Sequence, residues 1–401
     1  MNIRRRCLSC NNKKLREIIN LGLHSFADRF VPKKKTKFSD PAYPLILDYC
    51  LECNFIQSRF ITNPRDRYSL IDYSYTSSNS SFARNHWDKF ALDLDKKFKI
   101  KKKKILEIGS NDGYLCKRLN EKGANTLGID ASSFMTSLAR RKKVNSLNLI
   151  FSYKESIKIK KKFGEFDIII ANNVFNHSDN PAEFIKGVRN LLVKDGLYIF
   201  EQPDFAKGAV TLKFDQIYHE HVSYFTAKNI NNFLRINKMK LIEIKENNYH
   251  GGSLRSIAVK DTSENHKIRI NLSKFKKYSK IYKLAFFKKM MRLIKKKREI
   301  FIKKINSFKN SGYTICGIGA GAKSNTFLTF YSLDNSIVKF LTDSSKFKYN
   351  KYTPLTRIII KNDKEIKKYD KIVGMILSWN ISDIVLKKIK KINKKIKIIH
   401  T

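Results

Sequence analysis

Two Cys-x-x-Cys pairs, Cys7-Leu-Ser-Cys10 and Cys50-Leu-Glu-Cys53, stand near the start of the chain. Each pair puts two thiolates on one tight turn, at two corners of a tetrahedron, so together they close a zinc site that keeps no open position. A redox role would instead place one pair at the start of a helix in a βαβ unit, and four free structural cysteines are the remaining possibility. Further along, LEIGSNDG runs from Leu106 to Gly113. It follows a short apolar strand over 105–108 and precedes a helix expected from about Tyr114. Gly109 and Gly113 let the backbone approach a ligand, and the helix N-terminus favours an anionic group. The next strand, NTLGID, ends in Asp130, placed to accept both hydroxyls of a ribose. A ligand with a ribose and an anionic end is NAD or S-adenosylmethionine (SAM). The turn is not GxGxxG, and the acidic Glu107 and Asp112 would repel a pyrophosphate but suit a sulfonium and an amino group, which favours SAM.

The most polar cluster is Phe214-Asp-Gln-Ile-Tyr-His-Glu-His-Val-Ser-Tyr-Phe225. On an extended strand Tyr218, Glu220 and Val222 would share one face, with His219 and His221 on the other; on a helix His221 would adjoin Tyr218 or Tyr224. Either arrangement concentrates groups that accept and relay a proton near neutral pH, though His-Glu-His could instead bind a metal or form a chemically inert cluster. A second apolar strand, Ile168 to Ala171, delivers Asn172, Asn173 and His177 to its carboxyl end. The hydroxyl-rich run Asp72 to Ser81, which includes Tyr75, lines a polar substrate pocket or serves as a linker. Tyr249-His-Gly-Gly-Ser-Leu-Arg255 offers a Gly pair for close approach and an arginine able to pair a phosphate, or is an ordinary turn. GIGAGAKS, ending in Lys323 and Ser324, repeats the strand, glycine turn and helix pattern and forms a second candidate anion-binding turn.

The elements that position these residues alternate strand and helix, which implies a parallel, doubly wound sheet with ligands at the carboxyl ends of its strands. The chain has 401 residues, enough for two or three cores, and 42% hydrophobic residues exclude a disordered chain. We divide it at 1–65, 66–265 and 266–401. A basic stretch over 268–310, with Ile281, Leu284, Phe287, Met291 and Ile294 at helical spacing, introduces the last part. The net charge of +47 suggests an anionic partner or a composition drifted towards Lys, Ile and Asn, since the lysines are spread along the whole chain. No apolar run is long enough for a membrane span, and no signal peptide is expected. Cys116 and Cys316 sit singly in apolar segments, so a cytoplasmic protein without disulfides is expected.

Taken together, these residues give a chain that resembles the bacterial sugar C-methyltransferases acting on nucleotide-linked 4-keto-deoxysugars, over nearly its whole length. CLSC and YPLILDYCLECNFIQ are similar to that family's zinc-binding domain, LEIGSNDG to its methyl-donor turn and IYHEHVSYF to its catalytic signature. GGSLR, GAGAKSNTFL, TDSSKFKYNKYTPLT and LSW are similar to its C-terminal domain. Two stretches depart from the pattern: Tyr352-Thr-Pro-Leu355 replaces a Gly-rich PGT-like turn, and Asp343-Ser-Ser-Lys-Phe-Lys-Tyr349 replaces a DxxPxKxG run.

The resemblance implies an α/β chain with a small N-terminal zinc-binding domain, a central class I, Rossmann-like methyltransferase domain and a C-terminal Rossmann-like domain. It implies SAM and a structural Zn2+ held by Cys7, Cys10, Cys50 and Cys53, and a nucleotide-linked ketosugar, expected to carry dTDP, methylated at C3. It assigns His221 as base, Glu220 as its orienting carboxylate and Tyr218 as donor to the enolate, with His177 and Tyr75 as auxiliaries. Glu107, Gly109, Asn111, Asp112, Gly113 and Asn172 would frame the donor, Asp130 its ribose, and His219, Arg255 and Lys323 the substrate. An RNA methyltransferase is the rival reading suggested by charge, but the chain has no NPPY-like turn or RNA-binding module, so nucleic acid is not expected as a partner. A methyl acceptor that reacts through oxygen or nitrogen, or a non-catalytic scaffold that contains zinc, would also fit part of this pattern.

Overall fold

The computed structural model describes residues 2–68, 76–78 and 80–401. Each cysteine pair is followed by an asparagine, Asn11 and Asn54, whose φ angles of 61° and 62° turn the chain back on itself. Their N–H groups donate to the carbonyls of Cys7 and Cys50 at 3.0 and 2.9 Å, so both knuckles have the same closed turn. The strand Tyr43–Cys50 runs directly into the second knuckle. It belongs to an antiparallel sheet in the spatial order Ser223–Tyr224, Ile56–Ser58, Tyr43–Cys50, Leu15–His24. One edge of this N-terminal sheet is thus supplied by the polar cluster of the central part of the chain.

The central sheet has seven strands, in the order Met239–Asn247, Ser253–Lys260, Leu192–Pro203, Phe166–Asn172, Lys104–Ile108, Asn125–Asp130, Ser146–Asn148. The five strands from Leu192–Pro203 onwards are parallel, and Ser253–Lys260 runs antiparallel between Leu192–Pro203 and Met239–Asn247. This is the class I methyltransferase order. The continuous run Ile168, Ile169, Ile170 and Ala171 is fully buried because helices cover both faces of a parallel sheet. Those helices start where hydroxyl and amide side chains cap free N–H groups: Ser80 accepts from Ala83, Ser132 from Met135, Ser152 from Glu155 and Asn180 from Glu183.

The C-terminal part builds a second, entirely parallel sheet, in the order Ile360–Lys361, Phe340–Thr342, Thr314–Ile318, Ile372–Ile376, Lys397–His400. The basic stretch before it is not one continuous helix. A 3-10 segment, Leu272–Tyr282, ends at Lys283, whose extended φ/ψ of −112°/127° resets the phase before the α-helix Leu284–Asn310. The buried face is therefore Phe287, Met290, Ile294 and Ile305, while Leu284, at the first turn, is exposed and Met291 is only half-buried. Among the described residues no helix is long and apolar enough to cross a membrane.

A buried ion cluster fastens the N-terminal and central parts. The Arg4 guanidinium donates to Asp179 Oδ1 at 2.6 Å, and that of Arg67 to Asp179 Oδ2. Both arginine side chains are almost completely buried, so they depend on this shared carboxylate to offset desolvation. Asp179→Ala is expected to lower the unfolding free energy by about 3 kcal/mol, read as a fall in the urea midpoint, whereas a midpoint unchanged from wild type would show the cluster to be energetically neutral.

Candidate active site

The thiol sulfurs of Cys7 and Cys53 lie 3.5 Å apart and those of Cys10 and Cys50 3.6 Å, with all four within 4.8 Å of one another. A tetrahedron with Zn–S bonds of about 2.3 Å has edges of about 3.8 Å, so the four sulfurs fit zinc, with no position left for a substrate. The thiols of Cys116 and Cys316 are buried elsewhere.

A cavity opens at the carboxyl ends of the central parallel strands, lined by Glu107, Gly109, Asn111, Asp130, Asn172 and Asn173 among others. Gly109, at φ 76°, passes so close to Val174 that a Cβ would lie 2.9 Å from it, which requires glycine here. Asp130 is fixed by the N–H groups of Asn111 and Ser132, each 2.8 Å from one of its oxygens, and burial raises its carboxyl to about 6. Glu107 accepts from the Cys116 thiol at 3.0 Å, and burial pushes it up to about 8. Both side-chain atoms of Asn172 are buried without a hydrogen-bond partner, as is Ser110 Oγ. Such orphaned groups beside a carboxylate at the ribose position, and beside a carboxyl responsive to an amino group, suit SAM.

Two residues expected at the donor do other work. Asp112 accepts from the Ser77 and Ser78 hydroxyls and from Lys142, and so clasps that hydroxyl segment against the turn. Gly113, at φ 72°, caps the helix Tyr114–Asn120 and packs on Ala139. Neither lines the cavity.

A second cavity lies between the central and C-terminal sheets and takes in Asp28, Tyr218, His221, Lys323, Asp343 and Lys348. The two cavities share Asn173, His177 and His250. The cluster over 218–222 forms neither the strand nor the helix expected of it. A 3-10 turn, Phe214–Gln216, leads into a turn closed by the His221 N–H on the Tyr218 carbonyl at 2.9 Å. This brings the Tyr218 and His221 rings to 4.0 Å between centroids, with His177 at 5.1 Å from His221. His221 Nδ1 lies 2.9 Å from the Gln216 carbonyl. A carbonyl only accepts, so Nδ1 carries the hydrogen and Nε2 keeps its lone pair. Burial lowers this imidazole to about 3, leaving it neutral at physiological pH.

The group that orients His221 is therefore the Gln216 carbonyl, whereas Glu220 accepts from the N–H groups of Ala27 and Asp28 at 3.0 and 3.4 Å. His219 stands edge-on to Phe26 and Tyr43 with Nε2 against the Pro44 carbonyl, and Arg255 is held by buried Glu201 at 2.9 Å and lies over Phe90; neither lines these two cavities. Lys323 does line the second cavity. Its Nζ donates to the His250 carbonyl at 2.7 Å and sits 4.5 Å from the Trp379 ring centre, and burial lowers it to about 8. Tyr75 lies outside the described residues.

Sequence reasoning placed Asn173 at the end of its strand without giving it a role, and it missed His250 and Asp28 as cavity residues. His250, at φ 53°, is signalled only by the Gly pair after it, where a Cβ on Gly251 would meet Trp379 at 2.3 Å. Asp28 comes from the N-terminal part and has no local signature. The second glycine turn mirrors the first: Asp343 accepts from Ala320 N–H at 2.9 Å and Ser345 N–H at 2.8 Å, as Asp130 does from Asn111 and Ser132.

A cavity at the carboxyl ends of a class I sheet, meeting a second cavity that holds a neutral buried histidine, is the setting of a SAM-dependent methyltransferase, and comparison with known proteins agrees. Three family models match in order: a zinc binding domain over 7–68, a methyltransferase domain over 81–238 and a C-methyltransferase C-terminal domain over 248–400. The protein belongs to the SAM-dependent C-methyltransferases that carry these three domains. It is 21% identical over 378 residues to the C-methyltransferase NovU of Streptomyces niveus, covering 93% of this chain and 89% of NovU. The ubiquinone biosynthesis O-methyltransferase of Pelagibacter ubique is 34% identical over 101 residues, 24% of this chain and 41% of that protein. Among solved structures, the magnesium protoporphyrin IX methyltransferase of Synechocystis PCC 6803 with bound SAH is 17% identical over 44% of this chain and 83% of its own, with a TM-score of 0.36.

Placement of the donor's ammonium group beside the raised Glu107 carboxyl is expected to give donor binding a pH signature. An ammonium group bound beside it favours the carboxylate, so binding releases a proton and tightens as pH rises towards 8. Calorimetric titration with S-adenosylhomocysteine (SAH) between about pH 6.5 and about pH 9 is expected to show affinity rising about tenfold and then levelling, with a flat profile in Glu107→Gln. A flat profile in the wild type would separate Glu107 from the donor amino group.

Proposed function

We propose that this C-methyltransferase transfers the SAM methyl group to C3 of a nucleotide-linked 4-keto-deoxysugar, carried on dTDP, through an enolate. The observation that carries this reading is the meeting of the two cavities at Asn173, His177 and His250, beside a neutral His221. A ketone at C4 acidifies the C3 hydrogen, and His221 Nε2, unprotonated and dry, takes that proton. Charge then develops on the ketone oxygen, where the Tyr218 phenol, in ring contact with His221, donates a hydrogen bond and the Lys323 ammonium adds a positive field. Bound SAM supplies an electrophilic methyl on a sulfonium.

His177, lining both cavities, shapes the point of transfer. Glu220 acts indirectly, holding Ala27 and Asp28 of the N-terminal part against the cavity. The nucleotide-sugar assignment draws on the likeness of the zinc-binding, donor and IYHEHVSYF motifs to the sugar C-methyltransferases, and full-length similarity to NovU supports a carbon acceptor.

With a dTDP-linked 4-keto-6-deoxysugar as acceptor, His221→Asn is expected to lower single-turnover methyl transfer by about a hundredfold or more while SAH affinity stays within about twofold of wild type. Unchanged turnover in that variant would remove His221 as the base. No transfer by the wild type to any such acceptor, with SAH binding intact, would reassign the acceptor class.

A further inference from the structure

Both histidines at the acceptor end stand one residue from a hydrogen-bonded ladder that leads into the zinc-binding domain. The Val222 N–H, next to His221, donates to the carbonyl of Asn176, next to His177, at 2.9 Å. The Val222 carbonyl accepts from the Ser58 N–H at 2.8 Å. Ser223 and Tyr224 continue the ladder, pairing antiparallel with Gln57 and Ile56.

Gln57 is fully buried, and its side chain points to the first knuckle. Its Oε1 accepts from the Leu8 N–H, between Cys7 and Cys10, at 2.8 Å, and its Nε2 donates to the Arg6 carbonyl at 3.0 Å. The second knuckle is joined as well, since the Asn54 carbonyl accepts from Asn229 Nδ2 at 3.0 Å. The described bonds of the donor turn go instead to Ile129, Asp130, Ser77, Ser78 and Lys142.

We infer that Gln57 is a positioning residue that transmits the order of the four-thiolate zinc site to the loops bearing His221 and His177, so that zinc occupancy orders those two loops and not the glycine turn and strands over 104–130. The inference rests on the assignment of these histidines to methyl transfer, but its test reads loop order and does not need an acceptor. A buried amide that satisfies two backbone groups of one turn, while its own backbone pairs with a second segment, makes the two segments order together.

Hydrogen exchange by mass spectrometry on the full chain, zinc-loaded and chelator-stripped, tests this. Stripping is expected to speed exchange over 174–178 and 217–224 by about tenfold or more, with residues 104–130 changed by less than about twofold. Gln57→Met, which keeps side-chain volume without the two hydrogen bonds, is expected to retain about one zinc per chain and still loosen the same two loops, with Gln57→Glu intermediate. Equal protection with and without zinc, a loosening of residues 104–130 as large as that of the two loops, or a zinc-loaded Gln57→Met indistinguishable from wild type would each overturn the inference.

Discussion

An imidazole removes a proton from carbon only while one ring nitrogen is bare, and His221 is kept in that state by a single hydrogen bond and by exclusion from water. The Gln216 carbonyl holds the proton on Nδ1, and burial holds the ring neutral. Every larger feature serves that condition. The turn that carries His221 has no regular secondary structure of its own, so its shape is imposed from outside: by the Val222 ladder on one side, by the Thr326 hydroxyl on the Ile217 carbonyl at 3.1 Å, and by the Ala27 N–H on Glu220 at 3.0 Å, Ala27 being held in turn by Asn325. Three parts of the chain converge on one short loop, and desolvation of His221 follows from that convergence.

The two parallel sheets use one device twice. In each, an aspartate at the end of a strand accepts from the glycine turn of its neighbour and from the residue two positions later, fixing the turn before any ligand arrives. In the C-terminal sheet Lys348 adds a bond to the Ala320 carbonyl at 2.7 Å, which braces the turn against the loop after Phe340–Thr342. Preorganisation of this kind lowers the ordering cost at the moment of binding.

How far the sequence disclosed this depends on the range of each interaction. The knuckles, the two glycine turns and the parallel strands are local patterns, so Cys7, Gly109, Asp130 and Ile168 to Ala171 announce themselves. The roles of polar residues in irregular segments are not local. Glu220 and His221 are adjacent, yet one faces the N-terminal part and the other the cavity, because a turn rather than a strand or helix separates them. Arg255 and Asp112 look like ligand-binding groups but are consumed by Glu201 and by the serine pair, contacts made across the fold. Helix phase in the basic stretch failed for a similar reason, since one extended residue, Lys283, separates two segments that composition alone runs together.

The donor cavity draws its walls from residues 77 to 250, with nothing from the five-stranded C-terminal sheet, whereas that sheet supplies much of the acceptor cavity. Among the described residues only Asn173, His177 and His250 belong to both, and all three are borne by the seven-stranded unit. Two sheets thus wall two cavities, and the C-terminal one contributes to the second. A substitution in the wall that the C-terminal sheet gives the second cavity can therefore change that cavity's shape without touching the walls of the first.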